Sequence, residues 1–394
     1  MENLIREDKE YLLNVYKRMD LIISKGKGCY LYDNNGKKYL DMFSGIAVNN
    51  FGHTNKQIIS KINEQANNFI HLSNYFVSKP IVNLAKLLVD NSFASKVFFT
   101  NSGTETIEAT IKLVRKYGKS FSADKYRILS AYNSFHGRTC GGLSLTGQDK
   151  YKKDFSPLLP GVEHFNFNDI NDLKSKVNKE VCAVYIEIIQ GEGGIKETSK
   201  EFIDELVKLS KEYNFLIVVD EIQTGLARTG KLFAYEHLNF KPDILALAKS
   251  LGGGLPIGAM LVSKDLENIF TYGDHGSTFG GNPVAASVGE FIVENISNSN
   301  FIKEINYKSD KLLSNLNSLK EKYPNIIKDV RGKGLMIGVD VGEYSSEIKK
   351  QALNNNLLLN VTNNTIIRLL PPLTITEDEI KEFLNIFETV LNSI

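Results

Sequence analysis

Between about Phe51 and Val284, short runs of consecutive apolar residues alternate with longer stretches whose apolar positions recur every three or four residues. The short runs have the length of strands buried on both faces, and the longer period is that of amphipathic helices. Strands are predicted at 97–100, 128–131, 181–186, 216–219 and 257–262. Such alternation implies a mostly parallel sheet covered by helices. After Asn282-Pro283 the pattern changes to long helices over 284–296 and 301–322. Short strands follow near 335–341, 357–361 and 366–369, and a final helix starts at Glu377. Ahead of the large sheet, 8–18 reads as a short helix, and 28–41 as a hairpin with aromatics on either side of the Asp33-Asn-Asn-Gly36 turn. The expected organisation is a segment 1–50 packing with the small domain, a large α/β domain over 51–284 and a small C-terminal α/β domain over 285–394. No repeat of fixed period and no low-complexity tract interrupts it.

Composition narrows the function more than the fold. Hydrophobic residues make up 42% and charged residues 24% of 394, which fills a core and excludes disordered and fibrous classes. Lys+Arg 47 against Asp+Glu 46 leaves +1, so no global field draws the chain to nucleic acid or to an anionic membrane. Any anion site must be local. Cys29, Cys140 and Cys182 have no CxxC spacing and are expected as packing residues in a reducing compartment. The charged start lacks a secretory core, so a cytoplasmic protein is expected. The membrane-like stretch 244–262 is broken by Lys249, three glycines and Pro256, a poor composition for a spanning helix.

Three places hold residues arranged for chemistry. The apolar run 215–219 ends abruptly at Asp220, at the strand end where open α/β sheets place ligands; a helix cap would use the same acid. Lys249 sits between an apolar run and Gly252-Gly-Gly254, where desolvation disfavours its charge and favours a nucleophilic amine. A lysine snorkelling from a helix end is the plainer alternative. In Phe98-Phe-Thr-Asn-Ser102-Gly103-Thr104-Glu105, a strand turns into a helix whose N-terminus suits a phosphate, or is simply Ser-capped. Gly225-Leu-Ala-Arg-Thr-Gly-Lys231 fits part of a nucleotide-binding P-loop, but Leu232 replaces the magnesium-binding hydroxyl. No two of the six histidines are three to five residues apart, so no metal site is expected. Arg368, a charge inside an apolar strand, needs an anionic partner if buried and none if it lies on an edge.

These segments, in this order, resemble the fold-type I, pyridoxal 5'-phosphate-dependent aminotransferases of class III, which act on ω-amino groups. The resemblance rests on Asn101-Ser-Gly-Thr104, Phe135-His-Gly-Arg-Thr139, Gln190-Gly-Glu-Gly-Gly194, Asp220-Glu-Ile-Gln223, Ala248-Lys249, Gly276-Ser-Thr278 and Arg368-Leu-Leu-Pro-Pro372. The sequence departs from the family at Val77, Ile188 and Ala227. The likeness is greatest to members that move the amine of N-acetylornithine to 2-oxoglutarate in arginine biosynthesis.

The resemblance implies a role for each residue. Lys249 would hold the cofactor through its side-chain nitrogen and shuttle the proton, and Asp220 would pair with the ring nitrogen. Ser102, Gly103 and Thr104 would cradle the phosphate, Phe135 would stack on the ring and Gln223 would bond its phenolic oxygen. Thr278 would reach the phosphate from the neighbouring subunit, with Ser277 beside the substrate, which makes a homodimer obligatory. Arg138 would take the remote carboxylate of either substrate and Arg368 the α-carboxylate of glutamate. Glu192 would neutralise Arg368 when acetylornithine enters. Rival readings are another ω-aminotransferase using ornithine, succinylornithine, 4-aminobutyrate or acylated lysine, a same-fold aminomutase or decarboxylase, and a P-loop regulatory protein.

Overall fold

A computed structural model describes residues 2–394. Its largest sheet has seven strands in the order Lys96–Thr100, Gly258–Val262, Ile244–Leu247, Leu216–Asp220, Val181–Ile186, Arg127–Ala131, Val162–Phe165. Gly258–Val262 runs antiparallel to both its neighbours, and the remaining pairings are parallel. The five strands predicted here are present. Val162–Phe165 and Ile244–Leu247 are additional, the second lying inside the stretch that hydropathy alone marked as membrane-like. Among the described residues, no helix is long and apolar enough to cross a membrane.

The central strands are buried on both faces, which is why their sequences are continuously apolar. Along Leu216–Asp220, Leu216 and Val218 join one core with Ile107, Val114 and Tyr185. Ile217 and Val219 join the other with Phe202, Ile203 and Leu206. One layer comes from the helix Gly103–Lys119 and the opposite one from Lys200–Tyr213. Buried Lys125 ties the margin of this sheet together, donating to the carbonyls of Lys179 (3.2 Å), Val181 (2.8 Å) and Tyr213 (2.9 Å).

A second, antiparallel sheet runs Asp329–Lys333, Met336–Asp340, Ile366–Leu369, Asn360–Thr362. The single strand expected at 357–361 is split. Leu357–Leu358 pairs with Lys38–Asp41 of the N-terminal hairpin, while Asn360–Thr362 pairs with Ile366–Leu369. One chain segment thereby stitches the N-terminal sheet to the C-terminal one. The first helix is Glu2–Tyr11 rather than 8–18: Leu12, Val15 and Tyr16 have helical spacing but are exposed, so no burial extends the helix through them. Cys29 and Cys182 are buried, but Cys140 is exposed at the start of a short helix and is not a packing residue.

Candidate active site

Asp220 closes its strand, Lys249 follows Ile244–Leu247 by two residues, and Gly103 opens the helix after Lys96–Thr100. Parallel strands deliver these loops to one edge of the sheet. They enclose a cavity of about 250 Å³ lined by Gly103, Thr104, Phe135, Arg138, Glu192, Asp220, Gln223 and Lys249, together with His136 and Glu187. Eight residues singled out in the sequence thus share one wall.

Asp220 is 5% exposed and holds an acceptor role on both oxygens. His136 Nδ1 donates to Oδ2 at 2.8 Å and the Ile222 N–H to Oδ1 at 3.0 Å. Burial opposes the charge on His136, but the Asp220 hydrogen bond and charge, with Glu187 nearby, raise its pKa overall. Among the described residues His136 Nε2 has no partner. The histidine thus fixes the carboxylate's orientation from behind, a role the sequence hid because the two residues are 84 positions apart.

The helix N-terminus combines both readings made from its sequence. Ser102 Oγ does cap the helix, accepting from the Glu105 N–H at 3.3 Å, and the Ser102 carbonyl takes the Thr106 N–H at 3.0 Å. The N–H groups of Gly103 and Thr104 have no hydrogen bond among the described residues, and both residues line the cavity. An anion there would meet two free donors and the positive helix end. A side chain at Gly137 would strike Thr104 Oγ1, so glycine is what lets the Phe135–Arg138 loop approach.

Lys249 adopts φ +45°, a left-handed conformation rare for a lysine and of the kind that clusters at active sites. Among the described residues its amine has no hydrogen bond or ion pair. Burial and then the Arg368 charge lower its pKa to about 8, against the pull of Asp220, Glu192 and Glu187. A sizeable neutral fraction near neutral pH is what a nucleophilic amine requires.

Arg368 lies on an interior strand and is 1% exposed, so the edge alternative fails. Its Nη1 donates to Glu192 Oε1 at 2.6 Å and to Gln223 Oε1 at 3.3 Å. Nε and Nη2 donate to Asn360 Oδ1 at 2.9 and 2.7 Å. Asn360 was not legible in the sequence; its register opposite Arg368 puts it there. Burial opposes ionisation of Glu192, yet the charge and hydrogen bond of Arg368 outweigh it and lower the Glu192 pKa. Arg138, by contrast, is exposed, with its guanidinium 3.9 Å from the Tyr151 ring centroid and no carboxylate partner among the described residues. Glu187, also missed, accepts from the N–H groups of Phe135 (3.2 Å) and Gly191 (3.4 Å), and burial lifts its pKa to about 7.

Ser277 and Thr278 do not line this cavity. Ser277 Oγ accepts from Asn101 Nδ2 at 3.0 Å, while Thr278 is exposed. Beside them lies an exposed apolar surface including Ile70, Tyr75, Phe76, Val77 and Phe279, fastened by Asn74 Nδ2 to the Ser277 carbonyl at 2.9 Å. The Gly225–Lys231 loop is an internal turn with Leu226 and Ala227 at φ +58° and +68° and Arg228 wholly buried; it is no phosphate loop.

Compared with known proteins, residues 12–391 match the family "Aminotransferase class-III". An acetylornithine aminotransferase of Caldanaerobacter subterraneus subsp. tengcongensis is 44% identical over 393 residues, 99% of this chain and 100% of that protein. A solved N-acetylornithine aminotransferase of Stenotrophomonas maltophilia superposes with TM-score 0.86 at 31% identity, covering 99% of this chain and 98% of that one. An ornithine aminotransferase of Toxoplasma gondii, with pyridoxal phosphate in partial occupancy at its active site, gives TM-score 0.94 at 29% identity over 100% of this chain and 94% of that one.

Proposed function

The chain belongs to the class-III aminotransferase family, and from that premise we propose that it transfers the terminal amine of N-acetylornithine to 2-oxoglutarate, yielding N-acetylglutamate 5-semialdehyde and glutamate. It is a pyridoxal-phosphate-dependent enzyme acting on small amino acids. The observation that carries the substrate reading is the buried Arg368–Glu192 pair beside the Lys249 amine. A site that must accept one substrate with an α-carboxylate at the reacting end and one without needs a cation that can be covered and uncovered.

The side chains suit the cofactor. Two free N–H groups at a helix N-terminus suit its phosphate, and the Asp220 carboxylate, pinned by His136, suits its ring nitrogen. Gly191 leaves room beside Gln223, whose Nε2 has no partner among the described residues while its carbonyl accepts from Arg368. When bound, pyridoxal phosphate supplies an aldehyde that captures the amine nitrogen and a protonated ring that withdraws electrons from the adjoining carbon.

The protein does the rest. Lys249 would hold the cofactor through Nζ and carry a proton there, its lowered pKa matching it to both tasks. Asp220 keeps its orientation because His136 holds one carboxylate oxygen and the Ile222 N–H the other, each leaving a lone pair for the cofactor. Phe135 presents its ring to the cavity, and Ser102 shapes the phosphate turn as its cap. Arg138, unpaired at the cavity wall, binds the remote carboxylate of either substrate. Arg368 binds the α-carboxylate of glutamate once Glu192 leaves it. Thr278 and Ser277, which do not line their own cavity and stand amid exposed apolar residues, complete the site of a second copy in a homodimer. We place the enzyme in the cytoplasm, where its three free cysteines stay reduced.

Testing N-acetylornithine, ornithine, succinylornithine and 4-aminobutyrate with 2-oxoglutarate decides the donor. Highest kcat/KM for N-acetylornithine is the expected result. Preference for free ornithine would establish the second reading, which the likeness to the Toxoplasma gondii ornithine aminotransferase favours.

A further inference from the structure

Arg228 is wholly buried, and among the described residues no carboxylate faces it. Its Nη1 donates to the carbonyls of Leu335 (2.8 Å) and Pro371 (2.7 Å), its Nη2 donates to Asn50 Oδ1, and its Nε has no partner. Burial pulls its pKa down to about 9, so it remains a cation at neutral pH. A buried cation answered only by neutral acceptors is an expensive way to fill space, and an apolar side chain would serve stability better. What an apolar chain lacks is a planar fork that fixes several acceptors at once.

The acceptors identify what is fixed. In the C-terminal sheet Ile337 pairs with Leu369 and Gly338 with Arg368. Continuing that register by two residues places Leu335 opposite Pro371, so one guanidinium nitrogen closes the end of the very ladder that holds Arg368. Leu335 returns the bond, its N–H donating to the Arg228 carbonyl at 2.9 Å. Pro371 lies three residues, about 10 Å of strand, from Arg368.

The other end of the joint reaches the cofactor acid. The Glu221 carbonyl, next to Asp220, accepts the Gly225 N–H at 3.0 Å, and the Gly225 carbonyl accepts the Arg228 N–H at 3.4 Å. Asn50 adds the third segment, its carbonyl taking the Leu373 N–H at 2.7 Å. The loop leaving the Asp220 strand, the strand carrying Arg368 and the N-terminal segment therefore meet on one side chain.

We propose that Arg228 is a positioning residue that sets the distance between the cofactor acid Asp220 and the α-carboxylate receptor Arg368, through its shared hold on Leu335, Pro371 and Asn50. This rests on the transaminase reading above. It predicts an asymmetric defect: substrates that use Arg368 are affected, and N-acetylornithine, during whose turnover Arg368 stays covered by Glu192, is not.

The test uses the holoenzyme and three variants. Arg228→Lys keeps the charge and loses the fork. It is expected to raise KM for glutamate about tenfold while changing that for N-acetylornithine less than about twofold, since small misplacements of a binding group are amplified in rate. Glutarate binding by calorimetry, which needs no turnover, should weaken by about the same factor. Asn50→Ala, which removes one acceptor and serves even if the first variant fails to fold, should show the same skew at about threefold. Lys125→Met removes another buried cation bonded only to carbonyls, and should lower the melting temperature with no skew. Equal losses for both substrates in the Arg228 and Asn50 variants, or unchanged glutarate binding, would overturn the inference. A wild type that transfers no amine from glutamate would instead overturn the transaminase reading beneath it.

Discussion

Replacing Glu192 with alanine separates the two half-reactions by an amount the structure sets. Arg368 is 1% exposed and the Glu192 side chain 25% exposed, with 2.6 Å between Nη1 and Oε1. Breaking a fully buried pair costs about 3–5 kcal/mol. Water reaching the exposed quarter of Glu192 reduces that, and a charge-assisted hydrogen bond is worth about 1.5–3 kcal/mol, so about 2–3 kcal/mol is the working figure. In Glu192→Ala the free enzyme carries this cost. Glutamate relieves it by laying its α-carboxylate on Arg368, and N-acetylornithine does not. The ratio of kcat/KM for glutamate over N-acetylornithine should therefore rise about 30- to 160-fold, at about 1.36 kcal/mol per tenfold. Rapid-mixing absorbance of each half-reaction measures the ratio directly. The sign with pH follows from the lowered Glu192 pKa: the pair contributes above the usual carboxylate pKa and is lost as pH falls through the depressed value. Wild type should thus approach the variant's ratio in acid. A ratio unchanged by the substitution would refute the covering role of Glu192.

Further expectations follow from other residues. Lys249→Ala should cut turnover by about 10³-fold or more and abolish retention of the cofactor after borohydride treatment and denaturation, read by mass spectrometry; a cofactor still covalently attached would place the link on another residue. Glu187 titrates near pH 7 in the folded chain and near 4.5 when unfolded, so the folded state holds the extra proton and loses stability as pH rises between those values. Glu187→Gln, which cannot ionise, should gain in melting temperature relative to wild type on going from pH 5 to pH 8, and parallel curves would contradict the raised pKa. Phe76→Glu, placed on the exposed apolar surface beside Thr278, should yield a monomer by sedimentation with cofactor affinity reduced at least about tenfold; a fully active monomer would show that each chain completes its own site.

Much of the large sheet was legible because its signal is local. Leu216–Asp220 is a continuous apolar run cut off by a carboxylate, and such a run is both a doubly covered strand and a pointer to the strand end where ligands bind. Ile244–Leu247 escaped notice because its apolar stretch runs on through the lysine and the glycines, and hydropathy has no means of dividing it. The strand expected at 357–361 failed for a related reason. Its run of three leucines, Asn360 and Val361 carries no signal of where it divides, because which sheet each half joins depends on partners at 40–41 and 366–368.

For the site, the amino-acid order alone determined the chemical groups: an amine in an apolar, glycine-rich setting, an acid at a strand end, and a helix N-terminus made of small residues. Tertiary structure decided what each group faces. His136 reaches Asp220 across 84 positions and Glu192 reaches Arg368 across 176, and no periodicity spans such distances. Strand order in the large sheet brings the first pair together, and the packing of separate sheets brings the second. The same holds for Asn360, Glu187 and the Arg228 junction, and for Thr278, which is exposed and does not line the cavity of its own chain. A residue's identity fixes its charge and hydrogen-bonding capacity; whether that charge is paired, desolvated or left free is a property of neighbours that only the folded chain supplies.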